Sequence, residues 1–413
     1  MPDPRRRVAI TGLGVISPIG CSIDSFWSAL TNGRSGIRAI EGFHTEDLPT
    51  RIAGTIPDFV PEAYLERKQA RHLDRAAQFA VAAARLALVD SGLDPTANPD
   101  RIGVCLGVGA GCIGVLAAEL EVLRTSGARR VSPFLAATML PSMPAAQISL
   151  QLGLKGPVRA IATACATGAD NVAHAADLIR LGQAEIVFAG GTDAAVTPIG
   201  IAAFAASRSL SRNNEAGPRA SRPFDRQRDG FVMGEGAGVV VLEDYDSAIS
   251  RGARIQAELL GYASTGDAYH LTAPREDGEG LVRAIELALR ASGMSAADVD
   301  YVNAHGTSTP LNDRVETAAL KRALGERAYQ IPVNSTKSMT GHLLGATSVV
   351  ELIATVLQIR DGFVHPTINY EDPDPDCDLD YVPNVGRPAY IRVAISDSLG
   401  FGGHNTVLVV GGG

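Results

Sequence analysis

Three side chains in this sequence have the types and settings to share one chemistry. Cys165 lies in Ala162-Thr163-Ala164-Cys165-Ala166-Thr167-Gly168-Ala169-Asp170. His305 lies in Asn303-Ala304-His305-Gly306-Thr307-Ser308-Thr309-Pro310, and His342 in Lys337-Ser338-Met339-Thr340-Gly341-His342-Leu343-Leu344-Gly345-Ala346. A thiol at the first turn of a helix faces unpaired N–H groups and the positive end of the helix dipole. Both favour thiolate, so the spacing predicts a pKa below the free value of ~8.5. On its own segment Cys165 reads equally as a reactive nucleophile or as a packed, inert thiol. The histidines tilt the balance. Each sits at a strand-to-helix junction flanked by glycine and small hydroxyl residues, where ligands gather in α/β sheets. A further segment, Ser398-Leu399-Gly400-Phe401-Gly402-Gly403-His404-Asn405, reads as a hairpin turn or, beside the cysteine, as an oxyanion-hole or gating loop.

The elements that must position these groups alternate between strand and helix. Val158–Ile161 reads as a buried strand leading into Cys165, and Val172–Leu181 has helical spacing behind it. Strands are expected at Val8–Leu13, Ile102–Gly107, Ala184–Gly190 and Gly238–Leu242, with a long helix over Leu73–Ser91. The order then restarts. Strands at Ile255–Tyr262, Val299–Ala304, Ile331–Ser335 and Arg392–Ser396 alternate with helices at Gly280–Ser292, Asp313–Leu324 and Leu343–Arg360. This predicts two related halves, residues 1–250 carrying the cysteine and 251–413 carrying both histidines and the Phe401 loop. In that alignment Cys165 falls near the turn that carries His342.

Composition excludes several function classes. The formal charge of −8 argues against nonspecific nucleic-acid binding, which needs a basic face. The N-terminus, Met1–Arg7, runs into the first strand with no signal-peptide core, and no apolar stretch reaches the ~18 residues that cross a membrane, so a cytoplasmic protein is expected. The five cysteines, Cys21, Cys105, Cys112, Cys165 and Cys377, form no CxxC pair, which fits free thiols in a reducing compartment. Thr11-Gly12-Leu13-Gly14 follows the first strand as a dinucleotide loop would, yet lacks the third glycine and the later acidic residue. Gly234-Glu235-Gly236-Ala237-Gly238 has no Lys-Ser/Thr, and no Cys/His cluster has zinc spacing.

Taken together, these segments resemble the β-ketoacyl-acyl carrier protein synthases of the elongating type, fatty-acid and type II polyketide ketosynthases of the thiolase superfamily. The resemblance rests on Thr163-Ala164-Cys165, Asn303-Ala304-His305-Gly306-Thr307, Asn334-Ser335-Thr336-Lys337-Ser338 with Gly341-His342, and Gly400-Phe401-Gly402-Gly403. Arg222-Pro223-Phe224-Asp225 and Asp229-Gly230-Phe231-Val232-Met233-Gly234-Glu235-Gly236 add to it, and the motifs follow the family's order over essentially the whole chain. It implies an α/β thiolase-like fold, duplicated and five-layered (αβαβα).

It also implies a decarboxylative condensation in which Cys165 takes an acyl chain as a thioester. His305 and His342 would stabilise the enolate left when malonyl-acyl carrier protein loses CO2, giving 3-oxoacyl-acyl carrier protein. The backbone N–H groups of Cys165 and Phe401 would form the oxyanion hole, and Phe401 would gate the two half-reactions. Lys337, with Glu316 as its acidic partner, would order the site, supported by Thr307, Thr309, Asp313 and Gly402. No tightly bound cofactor is implied, since phosphopantetheine arrives on the carrier protein. No metal is implied beyond a monovalent cation near Asn303, Glu351 and Ser396.

The partners implied are an acyl carrier protein, docked by Arg67, Lys68, Arg71, Arg129, Arg130 and Arg208, and a second ketosynthase-like chain. That chain would be a copy of this one or a chain-length subunit, with the strand Ala184–Asp193 pairing across the two-fold axis. Neither nucleic acid nor membrane is expected. Two departures stand out. Asp397-Ser398-Leu399-Gly400 replaces the usual Asn-Ser-Phe-Gly, and Ala110 stands where many members place a bulky branched residue, which predicts a deeper acyl pocket. A noncatalytic chain-length subunit would lack Cys165. A degradative thiolase would pair one histidine with a second cysteine, for which Cys377 in a polar loop is poorly placed. A cysteine hydrolase has no matching motif.

Overall fold

The structure is a computed structural model that describes residues 6–412, so the Met1–Arg7 reading lies largely outside the described residues. The first half contributes β1 (Val8–Ile16), β2 (Ile102–Val108), β3 (Val158–Arg159), β4 (Ile186–Asp193) and β5 (Gly236–Asp244). The second contributes β6 (Ala257–Gly266), β7 (Tyr301–Asn303), β8 (Val333–Asn334), β9 (Val393–Gly400) and β10 (His404–Gly412). Both halves arrange their strands in the same way, β3-β2-β4-β5-β1 and β8-β7-β9-β10-β6. In each, the last strand (β5 or β10) runs antiparallel to both neighbours and the remaining pairs are parallel. The halves join edge to edge at Ala9–Glu258 and Ile10–Ala257.

Seven helices position the site: α1 (Arg75–Ser91), α2 (Ile113–Ser126), α3 (Thr167–Arg180), α4 (Pro198–Ala206), α5 (Glu279–Ser292), α6 (Pro310–Leu324) and α7 (Thr347–Asp361). The helix α1 covers the outer face of the first half-sheet, and α5 covers that of the second. Between the half-sheets lie α3 and α7, which touch both, giving five layers. The sequence explains the placement. A helix between two sheets has no solvent side, and every residue from Thr347 to Gln358 is buried. By contrast α5 carries an apolar stripe of Leu281, Val282, Ile285, Ala288 and Leu289 with charged residues opposite. Three apolar cores fill the gaps between successive layers.

The structure corrects several expectations. The strand expected over Val158–Ile161 stops at Arg159, because the Asn171 side chain takes both the N–H and the C=O of Ile161 (3.1 and 2.9 Å) away from the ladder. Gly12 and Gly14 lie inside β1 and form no loop after it. The helix placed from Leu343 begins at Thr347, after a 3-10 turn at Leu344–Ala346. The Ala184–Asp193 segment cannot pair across a two-fold axis through its strand, since β4 is flanked by β2 and β5 within the chain. The free edge on that side is β3. Apolar α2, unread in the sequence, has no buried residue.

Candidate active site

The two half-sheets bring Cys165, His305 and His342 together between the layers. The Sγ of Cys165 and one nitrogen of each histidine lie within 4.8 Å of one another, all three residues buried. Cys165 occupies a 3-10 turn, Ala164–Ala166, that feeds α3. Ala164 holds the left-handed region (φ 50°), strained for a residue with a Cβ, and the Thr163 N–H donates to Thr167 Oγ1 (2.9 Å). The second half repeats this device. Leu344 (φ 50°) opens the 3-10 turn that feeds α7, and the Ala169 N–H at the start of α3 donates to Ser348 Oγ (2.9 Å) at the start of α7.

Donors facing each Nδ1 assign the imidazole tautomers. The Leu344 N–H donates to His342 Nδ1 (3.2 Å), and an amide can only donate, so the His342 proton sits on Nε2. That Nε2 lies 3.1 Å from Cys165 Sγ, while Thr347 Oγ1 lies 2.9 Å from Nδ1. Lys337 Nζ lies 3.3 Å from His305 Nδ1 and also donates to the His305 carbonyl, which leaves the His305 proton on Nε2 as well. Burial, then the nearby Lys337 charge, pushes both histidines well below their ordinary pKa. Both are neutral donors. Phe231 stands edge-on to His342 with ring centroids 5.1 Å apart, and the two imidazoles meet edge-on at 5.4 Å.

Cys165 departs from its expected acidity. Burial pushes its thiol up to about 12, outweighing the pull of Lys337 and of the N–H groups of Phe401 and Cys165 itself. The helix terminus is present, but the sulfur is dry, and desolvation of the anion wins. Those two N–H groups nevertheless favour the thiolate, one from the β9–β10 turn and one from the nucleophile's own turn, and the two turns approach closely. The approach requires Gly400, since a Cβ there would stand 2.6 Å from the Thr163 carbonyl oxygen.

The acidic partners also differ from expectation. Lys337 pairs with Glu351 Oε1 (2.7 Å), one helix further on, instead of Glu316. Glu316 accepts the N–H groups of His305 (2.6 Å) and Gly306 (2.8 Å), and Asp397 also accepts that of His305 (2.8 Å). Burial and the facing Asp397 carboxylate drive Glu316 well up, and burial lifts Asp397 to about 6. Asp313 accepts N–H groups from Thr307 (3.1 Å), Ser308 (3.2 Å) and Phe224 (2.8 Å), fixing the loop after His305. Arg228 locks that loop from outside, 3.6 Å from Asp313, 2.6 Å from Asp374 and bonded to the carbonyls of Thr309 and Pro310. Asn303 Oδ1, Glu351 Oε2 and Asp397 Oδ2 are buried oxygens with no hydrogen-bond donor among the described residues.

A cavity of about 310 Å³ opens onto the cysteine and both histidines, with Thr307, Thr309, Arg208 and Phe401 among its lining residues. A second, of about 30 Å³, is lined by Gly109, Ala110, Ala164, Cys165, Phe204, Leu344 and Phe401. Phe401 borders both, 6.1 Å from the Phe204 ring, on a turn whose Gly402 (φ 89°) donates to the Leu271 carbonyl (2.8 Å). Ala110 thus shares the wall of this small pocket with Cys165. Of the basic residues expected to dock a partner, only Arg208 reaches the cavity. Arg67, Lys68, Arg71, Arg129 and Arg130 are exposed on surface segments, which the His72 and Phe134 rings, tilted against each other with centroids 4.6 Å apart, bring side by side. Sequence reasoning missed Glu351 as the lysine's partner, Thr347, Phe231 and Asp193. A buried acidic residue closing an apolar strand was the available signal for Asp193.

Comparison with known proteins agrees with this geometry. Residues 5–248 match the beta-ketoacyl synthase N-terminal domain and residues 256–371 the C-terminal domain of the same family. The chain is 48% identical over 405 residues to the 3-oxoacyl-[acyl-carrier-protein] synthase 2 of Synechocystis sp., covering 98% of this chain and 97% of that one. Among solved structures, it is 38% identical to a chain of AntDE:AntF, a type II PKS acyl-carrier protein in complex with its ketosynthase (TM-score 0.91, all of both chains). It is also 38% identical to a chain of the ishigamide ketosynthase/chain length factor (TM-score 0.93, 99% of this chain and all of that one).

Proposed function

The chain belongs to the β-ketoacyl synthase family, and from that premise and the site we propose how it performs chain elongation: an acyl group held on Cys165 is condensed with malonyl-acyl carrier protein. In the first half-reaction Sγ attacks the acyl thioester. The N–H groups of Cys165 and Phe401 receive the oxyanion, and the thiol proton leaves on the released phosphopantetheine sulfur. In the second, the malonyl thioester oxygen accepts hydrogen bonds from Nε2 of His305 and His342. Loss of CO2 leaves an enolate whose carbon attacks the Cys165 thioester. Collapse of that intermediate expels the Cys165 sulfur, which regains a proton from water, and releases 3-oxoacyl-acyl carrier protein. The observation that carries the reading is the pair of neutral imidazoles lining the cavity with their protons on Nε2, that of His342 resting on Cys165 Sγ (3.1 Å) in the absence of substrate.

Lys337 orders this arrangement by filling its three donor positions with Glu351, the His305 carbonyl and His305 Nδ1. Thr307 and Thr309 offer hydroxyls along the wall that the phosphopantetheine arm would follow. A monovalent cation fits the undonated oxygens of Asn303, Glu351 and Asp397, where it would offset buried negative charge. The Arg67–Arg71 and Arg129–Arg130 segments supply a basic face for the acidic carrier protein. A second ketosynthase-like chain would cover the unburied apolar helix α2 and the free edge of β3.

The test is mass spectrometry of the protein after exposure to acyl-carrier thioesters. Wild type gains one acyl mass on Cys165, whereas Cys165→Ala gains none but still releases CO2 from malonyl-carrier protein. Failure of every acyl thioester to modify Cys165 would overturn the reading.

A further inference from the structure

Asp193 closes β4 fully buried, with no cationic partner among the described residues, in a place the condensation does not use. Its carboxylate accepts three backbone N–H groups from two different segments: Gly109 (3.0 Å), Ala110 (3.2 Å) and Gly345 (2.8 Å). Gly109 and Ala110 form the wall of the small pocket beside Cys165. Gly345 follows Leu344, whose N–H sets the His342 tautomer. The two segments touch backbone to backbone: a Cβ on Gly345 would stand 2.3 Å from the Gly109 nitrogen, and one on Gly109 would stand 2.8 Å from the Ala164 carbonyl oxygen. The pocket wall, the histidine turn and the nucleophile turn therefore meet at one carboxylate.

We propose that Asp193 is a positioning residue that holds the acyl-pocket wall and the His342 turn in register, so that acyl acceptance and enolate stabilisation depend on one hydrogen-bond node. The proposal rests on the ketosynthase reading of the site. The three N–H groups converge on Oδ2, and that of Ala110 also reaches Oδ1 (3.3 Å), so an amide in this place would turn a donor toward the Ala110 N–H. The ionisable side chains around it are Asp74 at the N-cap of α1, Cys112 and Cys165, none of them cationic. Burial accordingly lifts the Asp193 carboxyl to about 7, partly held down by the three amides. As pH falls through that value the group takes up a proton, one oxygen becomes a donor, and the node loosens.

The experiment compares wild type with Asp193→Asn and with Thr192→Val. Thr192 is equally buried on the same strand, and its hydroxyl bonds only the Ala76 and Gly236 carbonyls, so it controls for lost stability. Wild-type condensation establishes the parent reading before variants are compared. Asp193→Asn is expected to slow both Cys165 acylation and malonyl decarboxylation by roughly tenfold to a hundredfold, the scale of a misplaced catalytic group. Thr192→Val lowers Tm while keeping both rates. Wild-type rates in Asp193→Asn, or equal losses in Thr192→Val at matched Tm, would overturn the proposal. A measurement needing no variant stands beside these: the 15N amide resonances of Gly109, Ala110 and Gly345 in wild type should titrate with one shared midpoint. Separate midpoints, or no movement, overturn it.

Discussion

The two imidazoles do different work from the one usually assigned to histidine beside cysteine. Each Nδ1 is committed as an acceptor, so each Nε2 can only donate while the ring is neutral, and burial keeps it neutral. A site of this kind stabilises an enolate oxygen better than it removes a thiol proton. Cys165, His305 and His342 were legible as reacting groups because their flanking glycines and small hydroxyls are unusual for packed residues. The lysine's partner was not legible. Glu351 and Glu316 both lie within reach of Lys337 along the sequence, and only the turn at Gly341–Ala346 decides which helix faces it. Ala110 gives the clearest residue-scale prediction. Its methyl group borders a pocket of about 30 Å³ beside the sulfur, and isoleucine adds three carbons. Ala110→Ile should accept short acyl groups on Cys165 at near wild-type rates and lose the longer ones, read as the chain lengths found on the protein by mass spectrometry. An unchanged profile would mean that the chain leaves the sulfur by another route.

Elements aim these residues through turns more than through strands. The Ala164 and Leu344 turns are the same device used twice, and the repeated strand order makes them face each other across α3 and α7. Element order was readable because buried strands and amphipathic helices leave different periods. The ends of elements were not, since side chains such as Asn171 capture backbone groups that a strand would otherwise pair. The loop after His305 shows how far a polar motif can act as structure. Arg228 joins it to Asp374, so the long segments on which Arg228 and Asp374 lie serve as a clamp. Arg228→Met removes one partner of a buried ion pair and leaves Asp313 uncompensated. A loss of about 3–5 kcal/mol is expected, visible as a lower urea midpoint. The loosened His305 loop should also slow decarboxylation, more than it slows acylation of Cys165. An unshifted midpoint would show that the clamp is solvated and idle.

At the scale of the whole molecule, one surface does not fit a solitary chain. The helix α2 is rich in leucine and valine yet buries nothing, and Leu120 is 55% exposed. Phe134, Met139 and Leu140 continue the apolar surface, and β3 ends the first half-sheet with an unpaired strand edge. On α5 the exposed leucine, Leu287, stands singly, whereas α2 exposes Leu116, Leu120 and Leu123 together, the pattern of a surface that a partner covers. The strand edge and the helix belong to the same half and lie next to the acyl pocket in sequence, Ala110 being three residues before α2. A stable pair of such chains needs about 800 Å² covered on each, and a full helix face plus a strand edge is of that order. Putting charge into the face separates this from a merely exposed helix. Leu120→Asp with Leu123→Asp should halve the mass seen by light scattering, since each aspartate would have to be buried without a partner. The variant chain should keep its far-UV spectrum, because neither leucine contributes to the chain's own cores. A wild-type chain that already scatters as a monomer, or a variant that keeps its wild-type mass, would remove α2 from the interface.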